Sequence, residues 1–184
     1  MKAQPAKPSA CTPLSARSAQ YNEMKNRMDL PEGFTLRRAS VDDLPTLVGH
    51  RRAMFYDMGY RDDAALDSMS AKFSPWLQAQ MNAGEYLAWL AVAPDGSVAA
   101  GAGLWLMDWP PHMLGASPRR GNILNVYTDA RFRRRGLARR LMEVAVQWCH
   151  ENGVDVVILH ASPEGRELYE SLGFKASNEM RLTL

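Results

Sequence analysis

Cysteine is scarce in this sequence. The 184 residues contain only Cys11 and Cys149, which lie far apart in the chain. Cysteine and histidine nowhere recur at the spacings typical of metal sites. Cys149 falls within an amphipathic pattern that predicts a helix, where a buried free thiol is common. We therefore expect no metal, no nucleophilic role for Cys149, and a reduced, cytoplasmic compartment.

Long hydrophobic runs are also missing. The N-terminal stretch lacks the continuous apolar segment of a secretory signal. No part of the chain approaches the roughly 18 to 20 apolar residues that span a bilayer. We therefore expect a soluble protein with no membrane partner.

An excess of one charge is absent as well. Lysine and arginine number 22 and aspartate and glutamate 20, which gives a formal net charge of +2. The basic residues concentrate at Arg119 and Arg120 and in the stretch from Arg131 to Arg140. A local basic cluster on a nearly neutral chain favours a small phosphorylated ligand over a nucleic acid duplex, which usually meets a broader basic face. Nucleic acid binding is therefore disfavoured as a function.

The length and the apolar content of 46% are those of one globular domain. Residues 1–32 are rich in proline, alanine, serine and lysine and show little apolar periodicity, which indicates a flexible N-terminal tail. Residues 33–184 are expected to form the domain.

Apolar periodicity and turn residues predict the order β, α, α, β, β, β, α, β, α, β. Asp95 and Gly96 suit the tight turn of an antiparallel hairpin. Pro75 is expected to kink or divide the second helix. The predicted elements are strand 33–39, helices 42–58 and 64–82, strands 86–93, 97–107 and 123–128, helix 136–152, strand 154–159, helix 163–172 and one or two closing strands in 174–184.

The third predicted helix has the clearest pattern in the chain. Leu137, Leu141, Val144, Ala145 and Trp148 form one apolar stripe, and the charged residues between them, including Glu143, are expected on the surface. Gly153 follows directly, as is typical of a helix C-terminal cap.

A β-favouring segment from Ile123 to Thr128 enters this helix through a basic turn. The first turn of a helix has N–H groups without intrahelical partners, and the helix dipole adds positive charge there. The small residues Gly136 and Ala138 allow a phosphate to approach the backbone closely. This turn is therefore expected to bind a pyrophosphate.

The spacing Arg133-x-x-Gly136-x-Ala138 resembles the Arg/Gln-x-x-Gly-x-Gly/Ala signature of the GCN5-related N-acetyltransferase (GNAT) family. The segment from Val154 to Phe174 is similar to a second motif of that family, with a strand, a short helix bearing a tyrosine, and a terminal Gly-Phe. The resemblance implies a single-domain α/β fold with a mixed, mainly antiparallel central sheet flanked by helices. It also implies acetyl-coenzyme A (acetyl-CoA) as co-substrate.

The resemblance assigns the donor site to the turn and to the strand before it. The backbone of the strand is expected to pair with the pantetheine arm, and the amides of the turn are expected to take the pyrophosphate. The expected cofactor-binding residues are Val126, Tyr127, Thr128, Arg133, Arg134, Arg135, Gly136, Leu137, Ala138, Arg139 and Ser162.

Two residues are candidates for proton transfer. Tyr169 matches the family tyrosine that lies near the cofactor sulfur, and a phenol protonated at neutral pH suits the acid that protonates the thiolate. His160, the only histidine expected near the centre, is a candidate base. The chain departs from the family pattern at Asn122, where some members carry a glutamate base, and at Ser162 and Gly165. The assignment of the base therefore stays open, with Asp57, Asp62, Asp63 and Glu164 as weaker candidates.

The function implied is direct, sequential transfer of an acetyl group from acetyl-CoA to a primary amine, favoured to be that of a small molecule. Two alternatives stay open, namely a protein N-acetyltransferase and a non-catalytic acyl-CoA-binding sensor module. The acids at Asp57, Asp62 and Asp63 would attract a cationic acceptor, whereas Arg119 and Arg120 would attract an acidic one. Members of the family often pair, so a homodimer is a further expectation.

Overall fold

The structure is a computed structural model and describes residues 30–113 and 115–183. Most of the predicted N-terminal tail therefore lies outside the described residues. Five strands form one sheet in chain order. The first four strands pair antiparallel with their neighbours, and only the last pair is parallel. The mixed, mainly antiparallel sheet is therefore confirmed. The strands are β1 (Thr35–Arg38), β2 (Tyr86–Val92), β3 (Val98–Asp108), β4 (Arg119–Thr128) and β5 (Val157–Leu159).

Four α-helices flank this sheet. They are α1 (Leu44–Asp57), α2 (Asp63–Asn82), α3 (Leu137–Glu151) and α4 (Arg166–Ser171). Single 3-10 turns lead into α1 at Val41–Asp43 and into α4 at Pro163–Gly165. Among the described residues, no helix combines the length and the hydropathy needed to cross a bilayer.

The two faces of the sheet carry separate cores. Tyr86 and Leu90 of β2 pack with Leu47 of α1 and Leu77 of α2. Leu87 and Trp89, which alternate with them along the same strand, belong to the core that includes α3. Because successive side chains of a strand point to opposite faces, α1 and α2 lie on one face and α3 on the other.

The start of α1 is held by a buried carboxylate. Asp43 accepts a hydrogen bond from the backbone N–H of Ser40 at 2.8 Å and two from Arg37 at 2.6 and 2.7 Å. Its carboxylate is almost fully buried. These partners, and above all the Arg37 guanidinium, lower the pKa of Asp43 to about 2.

Two expectations from the sequence are wrong, and a third is wrong in part. Pro75 does not divide α2, which is continuous over its 20 residues, because Phe73 and Leu77 on either side are buried in the core and hold the helix in place. A kink at Pro75 stays a prediction. Residues 174–183 contain no strand, since little of this segment beyond Phe174 packs on the core and β5 remains the sheet edge. Glu143 is buried, because the face of α3 that packs against the rest of the domain extends beyond the row of apolar residues.

Candidate active site

A β-bulge interrupts β4 in its second half. The pairing of β4 with β3 runs from Gly103 opposite Leu124 to Gly101 opposite Tyr127, so Asn125 and Val126 together oppose a single residue. Asn125 has a φ of 56°, a left-handed conformation that asparagine tolerates better than most residues. A bulge bends its strand and turns the following backbone. It therefore sets the direction of β4 from Val126 onward.

The bulge lies where β4 and β5 part. The two strands pair only between Gly121–Ile123 and Val157–Leu159, and β5 ends there while β4 continues to Thr128. In the described part of the chain, residues 124–128 thus have no strand on that edge. The backbone of Val126 and Tyr127 borders the resulting gap. The carbonyl of Thr128 is already engaged, because it accepts a hydrogen bond from Arg133 Nε at 3.0 Å.

The turn that follows leads into the N-terminus of α3. Arg134 and Gly136 have φ values of 62° and 77°. The Arg140 N–H donates to the Gly136 carbonyl at 3.1 Å, so the amides of Leu137, Ala138 and Arg139 precede the first bond of the helix. A Cβ atom at Gly136 would meet nothing within 4 Å. The space beside Gly136 at the start of the helix is therefore open.

The arginines of the basic turn differ in whether their side chains already have a partner within the chain. Arg133 pairs with Asp57 of α1, and Arg139 donates to Ser171 Oγ at 2.7 Å. Arg134 and Arg135 are exposed, and among the described residues neither pairs with a carboxylate. Their guanidinium groups are the ones free to meet a ligand phosphate.

Tyr169 lies on α4 at the border of the α3 core. Its ring packs edge to face on Phe174, with centroids 6.2 Å apart, and burial raises its pKa. A Cβ atom at Gly165 would lie 2.8 Å from this ring, so the ring packs directly on the glycine. Ser162 caps the turn before α4, since its Oγ accepts from Gly165 N–H at 3.2 Å.

His160 follows β5 and is 57% exposed, with Nε2 3.2 Å from Glu179 Oε1. The expectation that it is the only histidine near the site is wrong. His50 of α1 packs against Tyr127 of β4 with ring centroids 4.9 Å apart. Its Nδ1 is buried without a hydrogen-bond partner in the described part of the chain, and burial lowers its pKa. The helical pattern around His50 predicted the helix, but not which strand this histidine faces.

A buried polar chain supports the bulge. Arg51 Nη1 donates to Asn125 Oδ1 at 2.6 Å, and Asn125 Nδ2 donates to the Tyr86 hydroxyl at 2.9 Å. Burial raises the pKa of Tyr86 to about 12. None of these residues was identified from the sequence, although an asparagine inside a β-favouring run can indicate a bulge.

The acids expected to attract a cationic acceptor are engaged. Asp57 pairs with Arg133, Asp63 pairs with Arg52 at 2.7 Å, and Asp62 caps α2 by accepting from Ala65 N–H at 3.0 Å. Asn122 offers an amide in place of a base. Its Oδ1 is buried and, within the described residues, has no hydrogen-bond partner.

A mixed, mainly antiparallel sheet, in which β4 continues beyond its parallel partner β5 and leads into a helix N-terminus, is the fold of an acetyltransferase. The chain belongs to the acetyltransferase (GNAT) family, whose model matches residues 47–174. No curated protein matches the chain at a significant level.

Solved structures of acetyltransferases share this fold. A GCN5-related N-acetyltransferase from Ralstonia eutropha JMP134 is 35% identical, with a TM-score of 0.78 over 83% of this chain and 99% of that one. A predicted acetyltransferase from Clostridium acetobutylicum, solved with acetyl-CoA, is 23% identical, with a TM-score of 0.75 over 82% and 96%. The glucosamine-6-phosphate N-acetyltransferase of Arabidopsis thaliana is 19% identical, with a TM-score of 0.59 over 83% and 99%. At these sequence identities, the last two similarities show only that the fold is shared.

Proposed function

We propose that the protein transfers the acetyl group of acetyl-CoA directly to a primary amine of a small molecule. One observation carries the proposal, namely the gap between β4 and β5 that opens beside the unpaired amides at the start of α3. An extended arm that ends in a pyrophosphate suits this combination, because a strand edge pairs with the arm and a helix N-terminus receives the anion.

The residues present fit acetyl-CoA. The backbone of Val126 and Tyr127 would pair with the pantetheine arm, and the amides of Leu137, Ala138 and Arg139 would take the pyrophosphate. The side chains of Arg134 and Arg135 are exposed beside them and would add charge-assisted hydrogen bonds. Thr128, Arg133 and Ser162 already have hydrogen-bond partners within the chain, which they would have to share with or give up to the donor. Their roles in binding the donor stay predictions.

The chemistry requires the loss of a proton from the acceptor and the gain of one by the leaving thiolate. Tyr169 is our candidate acid. Burial disfavours its phenolate and so keeps the hydroxyl protonated until the basic thiolate forms. His160 is our candidate base. It is exposed at the end of β5, where its Nε2 lies 3.2 Å from Glu179 Oε1.

The proteins that share this fold favour a small-molecule acceptor over a protein. Solved structures of the same fold include a glucosamine-6-phosphate N-acetyltransferase and an aminoglycoside acetyltransferase from an uncultured soil metagenomic sample. The second candidate function, an acyl-CoA sensor without turnover, rests on Asn122, whose amide cannot accept a proton.

Calorimetric titration with acetyl-CoA, followed by a panel of amines, tests the proposal. We expect binding in the micromolar range, together with release of the CoA thiol and formation of an N-acetyl product detected by mass spectrometry. Binding without turnover of any amine would favour the sensor. Absence of binding would overturn both candidate functions.

Tyr169→Phe is expected to lower kcat about 100-fold while leaving the Kd for acetyl-CoA unchanged, since positioned acids typically contribute 10²- to 10⁴-fold. Phenylalanine keeps the ring that packs on Gly165 and Phe174, so the melting temperature should stay within a few degrees. Steady-state kinetics over a range of pH provide the measurement. Full turnover by a folded Tyr169→Phe variant would remove Tyr169 from the mechanism.

A further inference from the structure

A cavity of about 240 Å³ lies between the end of α1 and the start of α2. Its wall is mainly apolar and includes Phe55, Leu66 and Met69, with Tyr60 from the connection between the helices. The volume suits an apolar side chain of a small molecule. Arg61 and Asp62 also line the cavity, but Asp62 is committed to capping α2.

Arg51 adjoins this cavity through two of its lining residues. Its Nε lies 3.3 Å from Met69 Sδ, and its guanidinium lies 5.0 Å from the centroid of the Phe55 ring. On its other side the guanidinium lies 4.5 Å from the centroid of Phe73. The cation thus lies between apolar groups, directly behind Phe55 and Met69 of the cavity lining.

No carboxylate among the described residues pairs with Arg51. Its polar contacts are Asn125 Oδ1 at 2.6 Å and the weak acceptor Met69 Sδ, although a guanidinium has five N–H donors. Burial accordingly lowers the pKa of Arg51. A partly buried charge without a counter-ion is costly, and it is stabilised by an anion that a ligand brings.

The neighbouring arginines show the contrast. Arg52, the next residue of α1, pairs with both Asp63 and Asp67 at 2.7 Å, and Arg133 pairs with Asp57. The acids around the cavity are therefore engaged by other cations or by a helix cap. Charge complementarity at Arg51 favours an anionic group on the acceptor.

The place of Arg51 in the fold connects this anion site to the donor site. Its partner Asn125 forms the bulge in β4, and Val126, the next residue, borders the gap proposed for the pantetheine arm. An acceptor anchored at Arg51 would thus hold its amine close to the thioester.

We propose that the acceptor is an amine that carries a carboxylate and an apolar side chain, as apolar α-amino acids do, with the carboxylate on Arg51 and the side chain in the cavity. This inference rests on the proposed acetyl transfer. The reaction forms a bond between the amine nitrogen and the acetyl carbon and breaks the bond between that carbon and sulfur. Of the two protons that the ammonium loses, one passes to the thiolate and the other to solvent.

A panel of matched acceptors tests the inference in the unmodified protein. L-Phenylalanine is compared with L-phenylalaninamide and phenethylamine, which lack the carboxylate, and with glycine, which lacks the apolar group. We expect kcat/KM for L-phenylalanine to exceed that for the two amines without a carboxylate by roughly 10- to 100-fold, the range of a hydrogen bond to a charged group. We expect a similar factor over glycine, in the range given by burial of an apolar side chain. Calorimetric binding of N-acetyl-L-phenylalanine in the presence of CoA is a second readout that does not depend on turnover.

Arg51→Gln should abolish this preference, because kcat/KM for L-phenylalanine should fall about 10-fold or more beyond any fall for phenethylamine. Arg51 also holds Asn125 in the bulge, so a disturbed bulge would lower kcat/KM for both amines, whereas loss of the contact with the carboxylate lowers only that for L-phenylalanine. Arg51→Lys should restore part of the preference. Arg52→Gln is the matched control, because it removes the same charge one residue away and should leave the preference intact. If Arg51→Gln does not fold, the acceptor panel and the binding of N-acetyl-L-phenylalanine still test the inference.

The outcomes separate this inference from the proposed function. Failure to bind acetyl-CoA would overturn the proposed function. Binding of acetyl-CoA with equal or better turnover of the amines without a carboxylate would overturn the inference alone, as would a preference that survives in Arg51→Gln. Binding of acetyl-CoA without either turnover of L-phenylalanine or binding of N-acetyl-L-phenylalanine would overturn it as well.

Discussion

Gly136→Asp is expected to raise the Kd for acetyl-CoA by at least about 100-fold, which corresponds to about 2.7 kcal/mol. The new carboxylate would occupy the open space in front of the first turn of α3, where a Cβ atom meets nothing within 4 Å. It would compete with the pyrophosphate for the amides of Leu137, Ala138 and Arg139 and would repel it electrostatically. Calorimetric titration of the purified variant measures the change.

Backbone strain accompanies the charge, because Gly136 has a φ of 77°. Gly153→Asp is the matched control, since Gly153 has a φ of 69°, is equally open, and follows the other end of the same helix. A side chain in this conformation costs about 1 to 2 kcal/mol of folding free energy in both variants. Gly153→Asp should therefore be destabilised similarly and should bind acetyl-CoA with at most a twofold change in Kd. Equal losses of affinity in the two variants would contradict the placement of the pyrophosphate.

Gly103→Ala is expected to destabilise the protein by about 3 kcal/mol, the upper part of the usual range for overpacking a core. A Cβ atom at Gly103 would lie 1.8 Å from the Tyr86 hydroxyl and 3.2 Å from the carbonyl oxygen of Leu124. Tyr86 cannot withdraw, because it is only 2% exposed and its hydroxyl accepts from Asn125. Urea unfolding monitored by tryptophan fluorescence gives the change in the free energy of unfolding.

Gly49→Ala gives the opposite expectation and serves as the control. Gly49 lies inside α1 with a helical φ, and a Cβ atom there would meet nothing within 4 Å. Alanine should therefore stabilise the protein by up to about 1 kcal/mol through its higher helix propensity. A Gly103→Ala variant as stable as the parent would show that Tyr86 does not fix the spacing of β2, β3 and β4.

The order of the elements was predictable because its signals are local. The stripe from Leu137 to Trp148 and the glycine after it predicted α3 almost to the residue. Asp95 and Gly96 predicted the hairpin of β2 and β3, which the strand register confirms. The closing strands failed as a prediction, because a strand requires a sheet edge to pair with and residues 174–183 do not pair with β5.

The candidate site also has one part that a local motif predicts and another that depends on contacts between residues far apart in the sequence. The turn from Arg133 to Ala138 could be proposed from its motif, because the residues expected to bind an anion at a helix start are adjacent in the sequence. The chain from Arg51 through Asn125 to Tyr86 joins residues 74 and 39 positions apart. No local pattern indicates such contacts.

The sequence by itself determined the class of fold and the helix that follows the basic turn, and it indicated Tyr169 as the candidate acid. Only the tertiary structure decided which arginines are free for a ligand, since Arg133 is engaged by Asp57 of a distant helix whereas Arg51 has no carboxylate partner among the described residues. The physical reason is that periodicity and caps follow from neighbouring residues, whereas charge pairing depends on which helix faces lie together on the folded sheet.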